Sequence, residues 1–235
     1  PATERATTVS TVLSRSSSVL KRTPPAAPPM DSRGLAVSEA GLFLYTFEYG
    51  DPVDRRALDT LEVVATSEVR VRRIALAPGL VFALEDDPVL IFDCAVLALD
   101  AMTLESRVTF GEGVLEDPRG ITASNDEVFV SDFVARCIFV FSFSGEHLRT
   151  LRGDFDTVFD LLWANGRLYA LALSQALTRC LFVVRPDDGS VLQVVAPPEG
   201  QQYSTYDSEL WQWGDRLLVS TTGNAGNVYT VLKGV

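Results

Sequence analysis

The chain has 235 residues, 47% of them hydrophobic, which is ample for a buried core and excludes a wholly disordered protein. Its formal charge is −11, and because residues 1–30 hold four basic residues against one acidic residue, the remainder carries −14; such a body disfavours nucleic-acid backbones and anionic membrane surfaces. No apolar run reaches the ~18 residues of a membrane span, and no basic segment followed by an apolar core and a small-residue cleavage site marks a signal peptide.

Residues 1–30 read as a Ser/Thr/Pro-rich tail or linker, with Pro24, Pro25, Pro28 and Pro29 breaking regular structure. Within it, Thr7 to Val12 is β-branched enough to form a strand if a sheet edge is available. From residue 31 to 235 the chain repeats itself with a period of ~40–45 residues, the mark of propeller blades.

The first repeat places strands at Gly34–Val37 and Leu42–Tyr45, a third ending near Ala57–Asp59, and a fourth at Leu61–Ala65. The second has Arg73–Leu76, Leu80–Ala83, Leu97–Asp100 and Leu104–Phe110. The third has Gly120–Ala123, Val128–Ser131, a strand from Val140 to the Gly145 turn, and His147–Leu151. The fourth has Phe159–Leu162, Leu168–Leu171, a strand from Val183 to the Gly189 turn, and Val191–Val195. The fifth has Leu210–Trp213, Leu217–Ser220 and Val228–Val231, and the chain stops at Val235. The strands read as near-continuous apolar runs, so both faces of each sheet are expected to be buried. A single four-stranded unit cannot do that alone; units stacked around an axis can. The fold class predicted is all-β, a β-propeller of four-stranded antiparallel blades.

Cys94, Cys137 and Cys180 fall at one repeat position, with Val53 and Asn227 at the matching places in the outer repeats. Equivalent positions in adjacent blades lie beyond disulfide reach, so the thiols are expected to be small buried residues. Unpaired cysteines favour a reducing, cytoplasmic compartment.

The third repeat, Pro118-Arg-Gly-Ile-Thr-Ala, then Val128-Phe-Val-Ser-Asp132, then Ile138-Phe-Val-Phe141-Ser-Phe-Ser-Gly145, resembles an NHL repeat across nearly its whole length. It departs from the family in having Arg136-Cys137 where a His-Arg pair is usual. The resemblance implies a six-bladed ring, of which the five visible repeats would be a fragment; the missing initiator Met agrees with that. The alternative is a five-bladed ring closed by Thr7–Val12. It also implies a protein-binding scaffold, an RNA-binding surface, an extracellular sensor, or a metal-dependent enzyme as possible roles, and fold alone does not choose among them.

Residue chemistry narrows the choice. With one histidine, His147, on an outer strand, neither a multi-histidine zinc site nor a Ser-His-Asp triad can be assembled; no catalytic residue is assigned. The turns between second and third strands share one face of the ring with the connections into the next blade. That face carries carboxylates: Glu48, Asp51 and Asp54, then Glu85, Asp86 and Asp87, then Asp132, with Glu116, Asp117, Asp154 and Asp156 on the connections. Tyr206 and Asn224 join them as binding-face candidates, and Trp211, Trp213 and Tyr203 as aromatics that could line a surface. Six-bladed lactonase-like hydrolases hold axial calcium with Glu, Asn and Asp, so Glu85, Asp132 and Asn224 are the calcium ligands such a likeness would imply. The expectation from sequence is a non-enzymatic scaffold, a monomeric domain whose acidic face binds a protein or basic peptide without cofactor. The alternatives are a calcium-dependent lactonase-like hydrolase and a ligand-sensing propeller domain of a larger protein.

Overall fold

The computed structural model describes residues 34–37, 43–47, 50–85, 94–197, 199, 202–203, 210–213, 216–223 and 226–233, and every regular element among them is a strand. The first blade comprises β1 (Gly34–Val37), β2 (Phe43–Phe47), β3 (Asp51–Ala57) and the first half of β4 (Val63–Ala77). The second half of β4 opens the second blade, followed by β5 (Leu80–Glu85), β6 (Val96–Asp100) and β7 (Ser106–Phe110). The third holds β8 (Pro118–Ala123), β9 (Glu127–Asp132), β10 (Cys137–Ser142) and β11 (His147–Leu151). The fourth holds β12 (Phe155–Ala164), β13 (Arg167–Ser174), β14 (Arg179–Val184) and β15 (Val191–Val195). In the fifth, β16 (Gln202–Tyr203) and β17 (Leu210–Trp213) lie end to end along one edge of β18 (Arg216–Gly223), and β19 (Gly226–Lys233) pairs with the other. All pairings are antiparallel, and the first strands of successive blades adjoin one another.

Two expectations change. Leu61–Ala65 and Arg73–Leu76, read as separate strands, belong largely to the single 15-residue strand β4, in which Val71 pairs with both Asp51 and Glu85. The reason lies in the segment joining them: Thr66 to Arg72 contains no Gly, Pro, Asn or Asp to break an extended backbone. Only Ser67 softens it, its Oγ accepting from Val53 N at 2.9 Å and donating to Val69 O at 3.0 Å. In the fifth blade the first strand is in two pieces, where one was expected. Thr7 to Val12 and the tail lie outside the described residues.

The core is a series of interfaces. Val128 and Val130 pack toward the second blade with Phe82, Leu84 and Val96, while Phe129 between them packs toward the fourth with Leu161, Leu168 and Phe182. In β10 the same alternation sends Phe139 and Phe141 one way and Ile138 and Val140 the other. Two more clusters of this kind join the first blade to the second, around Val53, Val71 and Leu99, and the fourth to the fifth, around Tyr169, Tyr203 and Leu217. Side chains alternate along a strand, so an apolar run supplies both neighbours at once. Burying each Phe or Leu contributes about 1.5–3 kcal/mol. Cys94, Cys137 and Cys180 are buried and unbridged within this packing, and burial pushes the Cys137 thiol up to about 11. His147 sits on exposed β11, beside Phe139 and Phe141, as its outer-strand position predicts.

Gly120, the glycine of Pro118-Arg-Gly-Ile, marks where first strands meet. A Cβ there would lie 2.9 Å from Asp160 Cα and 2.9 Å from Leu161 N, backbone atoms of the next blade. Neither can move without shifting β12. Gly120→Ala is therefore expected to lower stability by about 1–3 kcal/mol. Urea denaturation would measure it, and an unchanged midpoint would mean that the blades are not held at this separation.

Candidate binding face

Turns between second and third strands and connections between blades converge on one face, and the site is built from that geometry. In the third blade Pro118 pairs with Asp132 and Gly120 with Ser131, so Arg119 is an extra residue, a β-bulge. In the fourth Val158 pairs with Ala172 and Asp160 with Leu171, so Phe159 is a bulge in turn. Asp132 lies opposite Cys137 and Ala172 opposite Cys180, which makes Arg119 and Phe159 equivalent positions of consecutive blades. Arg72 of β4 is bulged as well, between Val71 and Arg73. A bulge bends its strand and re-aims a side chain.

These re-aimed side chains meet the turn after β9. The Phe133 and Phe159 rings lie 6.3 Å apart, with the Arg119 guanidinium 5.3 Å from the Phe133 centroid and that of Arg179 5.9 Å from the Phe159 centroid. Arg119 pairs with Asp117 at 2.7 Å, and Arg72 reaches the same carboxylate at 3.5 Å. Arg179 donates to Tyr203 O at 3.0 Å. The result is a row running across the third and fourth blades, two aromatic rings flanked by a guanidinium group at each end. On the same face Phe133 is 38% exposed, Val134 53% and Leu177 71%.

Asp132 holds this row up. It is fully buried, at the end of β9. One oxygen accepts from Glu116 N at 2.7 Å and Asp117 N at 3.0 Å; the other accepts from Val134 N at 3.0 Å and Ala135 N at 2.8 Å. Phe133 N donates to Asp117 O at 2.9 Å, closing the turn. Four backbone donors occupy a carboxylate expected to be a surface or calcium ligand; it is instead an internal clamp. Asp132→Asn replaces one acceptor oxygen by a donor NH2 and leaves backbone N–H groups unsatisfied, so a loss of about 3 kcal/mol is expected. Chemical denaturation at neutral pH checks it, and a loss below about 0.5 kcal/mol would contradict the clamp.

Of the other candidates, Asp51 at the start of β3 and Asp154 on the connection into the fourth blade are exposed, and Glu85 ends β5 half-buried. Asp156 is paired with Arg136 at 3.4 Å. Among the described residues no group of three His, Cys, Asp or Glu side chains comes together to hold a metal. Glu48, Asp86, Tyr206 and Asn224 lie outside the described residues, as do the side chains of Trp211 and Trp213. Tyr203 corrects the expectation of a surface aromatic: it is buried between the fourth and fifth blades, its hydroxyl donating to Ala196 O at 3.3 Å.

Asp160 is a residue that the pattern of the sequence does not single out. It lies buried within β12, its oxygens accepting from Leu161 N at 3.0 Å and from Leu210 N of the fifth blade at 2.9 Å. Burial raises its carboxyl above the ordinary Asp range, with the nearby Arg73 charge and the two N–H donors opposing that rise. The folded state then holds this proton more tightly than the unfolded chain, whose Asp value is about 3.9. The sign follows: stability through this group falls as pH rises through its folded value. Comparing denaturation of the protein and Asp160→Asn from pH 4 upward should show the difference between them changing in that direction; parallel curves would mean that the folded and unfolded states bind this proton equally and that burial does not raise the carboxyl.

No protein-family model matches the sequence, and no curated protein does. Among solved structures, BamB from Moraxella catarrhalis aligns with a TM-score of 0.49 at 17% identity, over 60% of this chain and 41% of that one. The WD40 β-propeller domain of Doa1 aligns with a TM-score of 0.59 at 12% identity, over 84% of this chain and 62% of that one. The chain thus spans less than two thirds of either structure. At this identity the second likeness bears on fold alone, and it agrees with the blades described above: the chain has a β-propeller fold.

Proposed function

We propose that this protein is a non-enzymatic binding scaffold that presents the face of second-to-third-strand turns and inter-blade connections to another protein. The observation that carries this reading is the set of exposed apolar side chains Phe133, Val134 and Leu177 on a face whose aromatic pair is braced by guanidinium groups. Water-exposed Phe and Leu cost solvation unless a partner covers them, and aromatic and Arg side chains dominate binding energy at protein interfaces. Turns held by Asp132 lose little freedom on docking, which conserves affinity.

The NHL likeness of the third repeat agrees with such a role. Asp132, one of the three ligands that the lactonase-like alternative would use, already accepts from four backbone N–H groups.

A random-peptide display selection against the purified chain tests the reading. Peptides should enrich on the native protein, and the double variant Phe133→Ser with Leu177→Ser should weaken them by about 2 kcal/mol, roughly thirty-fold. Leu177 is exposed and Phe133 is partly so, with contacts to Phe159 and Arg119, so the variant should stay folded with a loss of no more than about 2 kcal/mol. No enrichment, or enrichment indifferent to the variant, would argue against this face. An EDTA-reversible stabilisation by calcium would favour the hydrolase instead.

A further inference from the structure

The turn after β6, Ala101-Met102-Thr103, belongs to the second blade but is tied to the first. Asp100 fixes it from within, one oxygen accepting from Met102 N at 2.7 Å and from Thr103 N at 2.9 Å. Tyr45 of β2 donates its hydroxyl to Ala101 O at 2.9 Å. Arg55 of β3, only 8% exposed, donates from Nη1 to the Met102 sulfur at 3.3 Å. Met102 itself is 57% exposed. A buried guanidinium therefore directs an N–H at a thioether, which is a weak acceptor, on a residue that solvent reaches.

We propose that Met102 is a site of reversible oxidation, and that Arg55 holds the sulfoxide more firmly than it holds the thioether. A sulfur lone pair attacks one oxygen of hydrogen peroxide. The S–O bond forms as the O–O bond breaks, and the departing hydroxide takes the remaining proton and leaves as water. Sulfur is oxidised and peroxide is reduced. The new oxygen carries partial negative charge, and its hydrogen bond from a guanidinium is charge-assisted. In a packed core a sulfoxide disrupts its surroundings. At an exposed turn the oxygen loses little hydration, and the flexible Met side chain can draw back to bring it against Arg55 Nη1. The sign of the effect is thus the reverse of that in a core: oxidation strengthens the tie between the first and second blades. A methionine sulfoxide reductase supplied with a thiol reductant returns the thioether, the oxygen leaving as water while two thiols become a disulfide.

The test uses the full chain, treated with hydrogen peroxide and then with catalase to stop the reaction. Peptide mass spectrometry should find one added oxygen on Met102, with the buried thiols of Cys94, Cys137 and Cys180 unmodified. The melting temperature of the oxidised protein should rise by about 2–4 °C, and the reductase should return it to the starting value. Met102→Gln, whose amide oxygen stands in for that of the sulfoxide, should melt above Met102→Leu without any peroxide. Arg55→Leu should remove the response to peroxide. Arg55 is buried, so that variant is the one at risk of misfolding; the comparison of oxidised with reduced protein, and of the two Met102 variants, does not depend on it.

A Met102 that stays unmodified at peroxide levels that convert free methionine would overturn the site. Sulfoxide formed at Met102 with an unchanged or lowered melting temperature would overturn the part given to Arg55. Equal melting of the Gln and Leu variants, or a peroxide-induced rise that persists in Met102→Leu, would do the same.

Discussion

Everything in this fold follows from one constraint: a four-stranded sheet whose two faces are both apolar must be covered on both sides. Phe129 and Val130 are neighbours in one strand, yet they belong to cores on opposite sides of the blade. Among the described residues the second, third and fourth blades are covered on both faces, apart from the outer strands, where Leu192 and Val194 of β15 and Leu148 of β11 reach water. Stability is therefore distributed over the interfaces between blades, as it is in repeat proteins generally. That is why a close approach such as Gly120 against the backbone of Asp160 matters: it sets the distance at which two such interfaces can close.

The same crowding near the axis explains the bulges. First strands of successive blades lie against one another there, and β4, β8 and β12 each carry an extra residue that bends the strand. The surplus residue cannot point into either core, so it turns toward the loop face. In the third blade that residue is Arg119 and in the fourth Phe159, and their meeting with Phe133 forms the row of guanidinium and aromatic groups. The row is thus a by-product of how the blades pack, with its chemistry set by the choice of side chain at one register position.

Buried carboxylates do the complementary work. Asp132 gathers four backbone N–H groups from a turn and an inter-blade connection, and Asp160 ties the fourth blade to Leu210 of the fifth. Loops and interrupted strands leave backbone donors that a regular ladder would satisfy. A carboxylate offers enough acceptor sites to collect several at once. Asp132, read from sequence as part of a charged surface, belongs to the internal hydrogen bonding, and so does Asp160.

The sequence by itself determined the blade count visible here, the strand positions in the third and fourth blades, the burial of the three cysteines and the exposure of His147, because each depends on local periodicity and on the spacing of turns. The glycine of Pro118-Arg-Gly-Ile was legible through the family resemblance of the third repeat. What it held back were relations between blades. Arg119, Phe133 and Phe159 all stand in segments that the repeat identifies, yet nothing local says that two of them are bulged or that their rings and guanidinium groups meet. Nor can composition separate Asp132, enclosed by N–H donors, from Asp154, facing water. Those outcomes were decided only by the tertiary structure, since register shifts and the direction of a side chain depend on how closely one blade's first strand lies against the next.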